Sequence, residues 1–193
     1  PPKLDNDTWS TGAIDQFILA KLREETLSPS RPANRETLAR RIALDLTGLP
    51  LGPEAMNKFL ADSSQSSIEM LIERLMHSPR YGEHMAISWL EASRYADTDG
   101  YQNDRYRYQH VWRDWVIETF NNNKPYDQFA IEQIAGDLLP DATREQQLAT
   151  AFQRLHRQTN EGGSVEAEMR LEYVADRTET FATAFLGLTV GCA

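Results

Sequence analysis

A chain of 193 residues that is 40% hydrophobic can enclose a core, which excludes global disorder. Its formal net charge of −9 argues against a nucleic-acid surface, because phosphate binding needs a basic patch. No apolar run approaches the roughly 20 residues of a membrane span. Of the 20 cations, sixteen are Arg, the side chain suited to bidentate, partly buried pairing with carboxylates, so the balance points to internal ion pairs. The one cysteine, Cys192, excludes an internal disulfide framework. The opening Pro1-Pro2 without Met reads as a cut from something longer, so a missing signal peptide says nothing about compartment.

Residues 1–12 lack periodicity and read as a linker or arm, anchored through Trp9; residues 13–193 read as a single helical domain, truncated at its C-terminal end. Ile14, Phe17, Ile18 and Leu22 follow helical spacing and predict a helix over about 13–25. Asn34 is placed to cap a second helix with Leu38, Ile42 and Leu46 on one face, stopped by Gly48 and Pro50. Pro53 starts a short third helix, and Ser66 or Ser67 opens a fourth that ends before Pro79. A helix over about 82–97 breaks at DTDGYQND, whose Asp, Gly and Asn favour turns.

Val111, Trp112, Trp115, Val116 and Phe120 mark a strongly amphipathic helix over about 108–121, ended by NNNKP. Asp127 is placed to cap the next. Thr143 with Gln146 three residues on is a capping box, opening a helix to about Arg157. After the glycine loop QTNEGGS comes the longest helix, about 165–186, ended by Gly187. No run alternates with period two. The expected fold class is all-α: an irregular bundle of about nine helices with little or no β structure.

The stretch 88–140 organises the rest. It holds three of the four tryptophans and five of the seven tyrosines. Among them are interleaved Arg94, Asp97, Asp99, Asp104, Arg105, Arg107, Arg113 and Asp114. Large aromatics want burial, and buried charges must be paired. Such a segment is either the wall of a polar site or a helix–loop–helix whose charges face water. If it is a wall, Arg94, Asp97, Asp99, Asp104 and Arg113 should face Glu161, Asp176 and Arg177 across one polar cleft.

DTDG at 97–100 does not make an EF-hand. With Asp99-Gly100 at loop positions five and six, positions one and twelve are Tyr95 and Tyr106, which cannot serve. Asp97, Asp99 and Asp104 then form either a tight turn or a non-standard oxygen site. NEGG at 160–163 is either a simple helix connection or a close backbone approach to a ligand. The four histidines have no metal-ligand spacing among themselves. His156, at the mouth of the glycine loop, is either a helix C-terminal histidine favoured by the macrodipole or a ligand or proton relay. Nucleotide-binding and common hydrolase motifs are absent, and no catalytic residue is assigned.

Several words in order, among them AIDQFILAKL, LARRIALDLTGLP, IERLMHSPRYGEHMAISWLEASRYADTDGYQNDRYR, KPYDQFAIEQIAGDLLP, YVADRTET and FLGLTVGCA, carry a resemblance over about residues 9–193. The chain resembles the planctomycete cytochrome c-associated domain of unknown function, the middle part of large secreted proteins. The resemblance implies an extracytoplasmic location in the periplasm or cell envelope. It also implies a neighbouring cytochrome c domain and a C-terminal domain in the same polypeptide as partners.

In the family the word after GCA continues Arg-Cys-His, which would make Cys192 the first cysteine of a haem-attachment word. Haem c is therefore implied for the full-length protein, though not for this chain alone, with His156 a further candidate for cofactor binding. The expected function is a module of an extracytoplasmic c-type haem protein supporting electron transfer or redox chemistry. The alternatives are a hydrolytic or carbohydrate-acting enzyme module with a structural Cys/His metal site, and a non-catalytic scaffold.

Overall fold

The computed structural model describes residues 1–64 and 66–191. Among them it is all-helical, with nine α-helices, three short 3-10 or π segments and no strand; Thr98 and Tyr106 form an isolated antiparallel bridge. The chain divides into two compact units, 1–38 and 39–193.

The first unit is an arm and one helix, α1 (Ala13–Glu24). Asp7 accepts from the backbone N–H groups of Trp9 and Ser10, both at 2.9 Å. Asp15 accepts from the Thr11 backbone and hydroxyl. These bonds satisfy the donors left orphaned where a chain enters a helix. Arg23 donates to the Asp5 carbonyl at 2.9 Å and ties the arm to the helix. Only Leu19 of α1 is buried, while Ile14 and Phe17 remain 79% and 60% exposed.

Helix α2 (Arg35–Thr47) crosses the division between the units, and the Thr37 N–H meets the Asn34 side chain at 2.8 Å. From Ala39 onward α2 packs with α3 (Pro53–Ala61) and α4 (Ser67–Met76) around Ala39, Ala43, Phe59, Leu71 and Leu75.

The larger core lies between α5 (Pro79–Ala92), α6 (His110–Asn121), α7 (Tyr126–Ala135), α8 (Arg144–Ala149) and the 3-10 turn Thr150–Arg154. Trp112 at its centre is fully buried, and its indole N–H donates to the Ala149 carbonyl at 3.2 Å. Trp115 stacks on Phe129 at 5.5 Å between centroids, and Trp89 meets Phe129 edge-on at 4.9 Å. Helices α5 and α6 come together at Gly82. Its N–H donates to the Asn121 side chain, and a Cβ there would lie 2.5 Å from the Ile117 carbonyl oxygen. Helix α8 carries the capping box read from the sequence, with both Thr143–Gln146 bonds formed.

The helix ends are less regular. The long C-terminal helix is α9 (Glu166–Phe181), passing into a π segment, Ala182–Leu186, that stops at left-handed Gly187. Helix α5 ends at Ala92, earlier than its sequence suggests. Arg94 there has φ +55°, with return bonds from its own N–H to Glu91 and from Tyr95 to Leu90. Helix α6 ends in the same way at Asn123, with φ +47° and bonds from Asn123 to Phe120 and from Lys124 to Thr119. This double bond is the Schellman arrangement, in which glycine is the usual left-handed residue. Here Arg94 holds that position at a steric cost of about 1 kcal/mol, whereas Asn is a residue that takes it readily.

Candidate functional site

Arg94, set by the left-handed end of α5, points its guanidinium at α9. It is bonded to Asp176 and lies 3.1 Å from Glu179. Asp176 is only 11% exposed, and its second oxygen accepts from the Arg157 N–H at 3.3 Å. One turn earlier on α9, the Tyr173 hydroxyl accepts from the Thr159 N–H at 2.7 Å. The connection 155–165 is thus sewn to α9 by its own backbone.

The loop between α5 and α6 supplies the opposing edge. Asp99 is buried. It takes a hydrogen bond from the Asn160 amide at 2.5 Å and lies 3.7 Å from the Arg107 guanidinium. Asp99 also accepts from Gln158 through its backbone carbonyl at 3.0 Å. The Gln102 N–H donates to Glu161 at 2.6 Å. Arg107 donates to the His156 carbonyl at 2.9 Å and to the Arg154 carbonyl, so one cation closes the exposed end of the 3-10 turn. Burial pulls the Arg107 pKa down, and Asp99 opposes this by holding the charge.

The structure therefore brings Arg94, Asp99, Glu161 and Asp176 together along one polar seam. The other sequence candidates lie at its ends or outside it. Asp97 accepts from the Tyr95 hydroxyl at 2.7 Å, and its other oxygen is buried without a partner. Burial of Tyr95, then its bond to Asp97, pushes the phenol pKa up. Arg113 pairs with its neighbour Asp114 at 2.7 Å. Asp104 accepts from the Gly100 N–H at 2.7 Å and turns its own loop; that bond and the Thr98 hydroxyl hold its pKa down. Arg177 bonds its own helix at the Tyr173 carbonyl.

His156 is half-buried with its ring 5.0 Å from that of Tyr173 and its Nδ1 unpartnered. Burial first, then the guanidinium groups of Arg177 and Arg107, hold its pKa below the ordinary value, against the Gln153 backbone and Asp176. The imidazole is thereby favoured as the neutral form, the reverse of what a helix C-terminus does to a histidine.

Sequence reasoning did not single out Tyr173, Glu179 or Asn160, and it ranked Arg107 only among interleaved charges. Asn160 adjoins Glu161 in the glycine loop, which was a usable signal. Tyr173 and Glu179 had none, since both sit on a helix whose rotation only packing decides.

Among the described residues no three His, Cys, Asp or Glu side chains come together in a way that could hold a metal ion. A c-type haem takes two thiols and an axial histidine in one word. Cys192 lies outside the described residues, and His156 turns its ring onto Tyr173. The described donors by themselves do not make a haem ligand set. The last described residue, Gly191, sits against the seam: a Cβ there would lie 2.5 Å from the Glu179 carboxylate.

No helix among the described residues is long and apolar enough to cross a membrane. No curated protein and no solved structure matches the chain. A family model matches residues 13–193, nearly the whole length, and the chain belongs to that family: PSCyt2, protein of unknown function (DUF1549), a planctomycete cytochrome c-associated domain.

Proposed function

We propose that this domain is a helical module of an extracytoplasmic c-type haem protein, which presents the chain leading to Cys192 from a fixed charged platform. The observation that carries the reading is the path of the C-terminal segment. Phe181 and Phe185 pack on the large aromatic core, with Phe185 5.1 Å from both Trp89 and Phe152. The Leu188 N–H returns to the Ala182 carbonyl, and Gly191 rests against Glu179, itself paired with Arg94. The segment therefore turns back along α9 toward the Arg94–Glu179 pair.

A c-type haem attached through Cys192 would supply one-electron chemistry. This domain's own residues do the positioning. The partners on this reading are a cytochrome c domain and a C-terminal domain of the same polypeptide, and the location is the periplasm or cell envelope.

The test is the chain extended by about 30 residues in the parent sequence and produced with cytochrome c maturation. Covalent haem on Cys192 by mass spectrometry, with intense visible absorption, is expected. Bound zinc or iron with no such absorption would favour the structural Cys/His site instead. No metal and no haem would leave the scaffold reading standing.

A further inference from the structure

Away from the seam, α5, α6 and α7 line an open pocket of about 270 Å³ that is largely aromatic. Tyr81, Trp89, Phe120, Tyr126 and Phe129 contribute rings to it, and Asn123 and Lys124 add polar groups. Trp89 is held in place by a buried side chain. The Trp89 indole N–H donates to the fully buried Gln133 side chain at 3.0 Å, and Gln133 donates in turn to the Phe129 carbonyl at 3.2 Å. A ring pinned by a buried amide keeps its face in place before any ligand arrives, which is what a preformed small-molecule site needs.

The polar groups at the mouth are of one kind. The hydroxyls of Tyr81 and Tyr126 and the carboxamide of Asn123 have no hydrogen-bond partner among the described residues, and each both donates and accepts. The one cation, Lys124, is bonded to Glu132 and stands 5.1 Å from the Trp115 ring centroid. It is therefore neutralised within the protein. An anion would have to compete with Glu132, and a cation would meet the ammonium. Asn123 occupies a left-handed position that Asn takes readily, and its carboxamide lines the pocket.

We propose that this cavity binds a neutral, hydroxylated ring of monosaccharide size. One C–H face would lie against this aromatic lining, and the hydroxyl edge would meet Asn123, Tyr81 and Tyr126. The class follows from the pairing of apolar, electron-rich walls with uncharged two-way hydrogen-bonding groups. The site is independent of the haem reading and uses none of the seam residues.

The test uses the whole chain with a panel of methyl hexopyranosides, followed by saturation-transfer NMR and calorimetry, with benzoate and tetramethylammonium as charged comparators. Binding of at least one pyranoside is expected, with both comparators silent. Asn123→Gly should retain or raise the melting temperature, because glycine suits that backbone, while weakening the pyranoside at least tenfold. Tyr126→Phe should weaken it several-fold, and Tyr108→Ala, outside the cavity, should leave it unchanged. No pyranoside binding, binding of a charged comparator in its place, or pyranoside binding untouched by Asn123→Gly would each overturn the proposal.

Discussion

Helices α6 and α9 hold their places by opposite means. Helix α6 buries Trp112, Trp115, Val116 and Thr119 and reaches its partners through aromatic contact. Helix α9, though longer, buries only Thr180 and leaves Leu171 72% exposed; apart from Phe181 at its end, which packs on the core, it is held by Arg94, Arg157 and Thr159 acting on Asp176, Glu179 and Tyr173. Apolar burial is non-directional and is not screened by salt, whereas charge pairing is directional and responds to salt and pH. The first makes a core. The second makes a charged seam whose strength varies with salt and pH, and the segment leading to Cys192 follows α9.

Trp112→Ala tests the first half of that contrast and should have the largest effect. Removing a fully buried indole and its bond to Ala149 should lower unfolding stability by about 3–5 kcal/mol in denaturant titration, equally at low and high salt. Asp99→Ala comes next, at about 3 kcal/mol, because it leaves Arg107 and Asn160 facing a buried site without their carboxylate. An effect near zero there would show that the seam is not coupled to folding.

Arg94→Ala should cost about 1 kcal/mol, since the guanidinium is substantially exposed and its pairs are partly screened. The loss should shrink as salt is raised. Arg94→Gly removes the same charges yet relieves the left-handed backbone, so it should be more stable than Arg94→Ala by about 1 kcal/mol. Equal stabilities for the two would mean that the helix end relaxes.

The smallest expected effect is the pH dependence of His156. Its folded pKa lies below the ordinary value of about 6.5, so the unfolded chain takes up the proton first as pH falls. The contribution is fully present above pH ~6.5, is lost as pH falls from there toward the folded pKa, and changes no further below it. His156→Gln should flatten that slope in chemical denaturation run across this window. An unchanged slope would assign the pH dependence to other groups.

What the sequence determined by itself is whatever rests on local chemistry. The periodicity of Val111, Trp112, Trp115, Val116 and Phe120 marked α6, and Thr143 with Gln146 marked the start of α8. Pro53 and Gly187 punctuated helices whose neighbours could not continue them. The all-helical class followed from the same periodicities. Composition left open whether the charges of segment 88–140 face water or one another; packing pairs Arg94 with Asp176 on α9.

Tertiary structure decided the rest. Ile14 and Phe17 have helical spacing yet stand exposed, because periodicity names a face without naming what covers it. The end of α5 carried no glycine to announce it, yet Arg94 takes the left-handed position there, whereas α6 stopped at NNNKP as its sequence suggests. Arg113 turned to its neighbour Asp114 and Asp104 to its own loop, because an ion pair is settled by distances of a few ångströms that residue spacing does not encode. Tyr173 and Glu179 joined the seam through the rotation of α9 about its own axis, which charges on three other segments set.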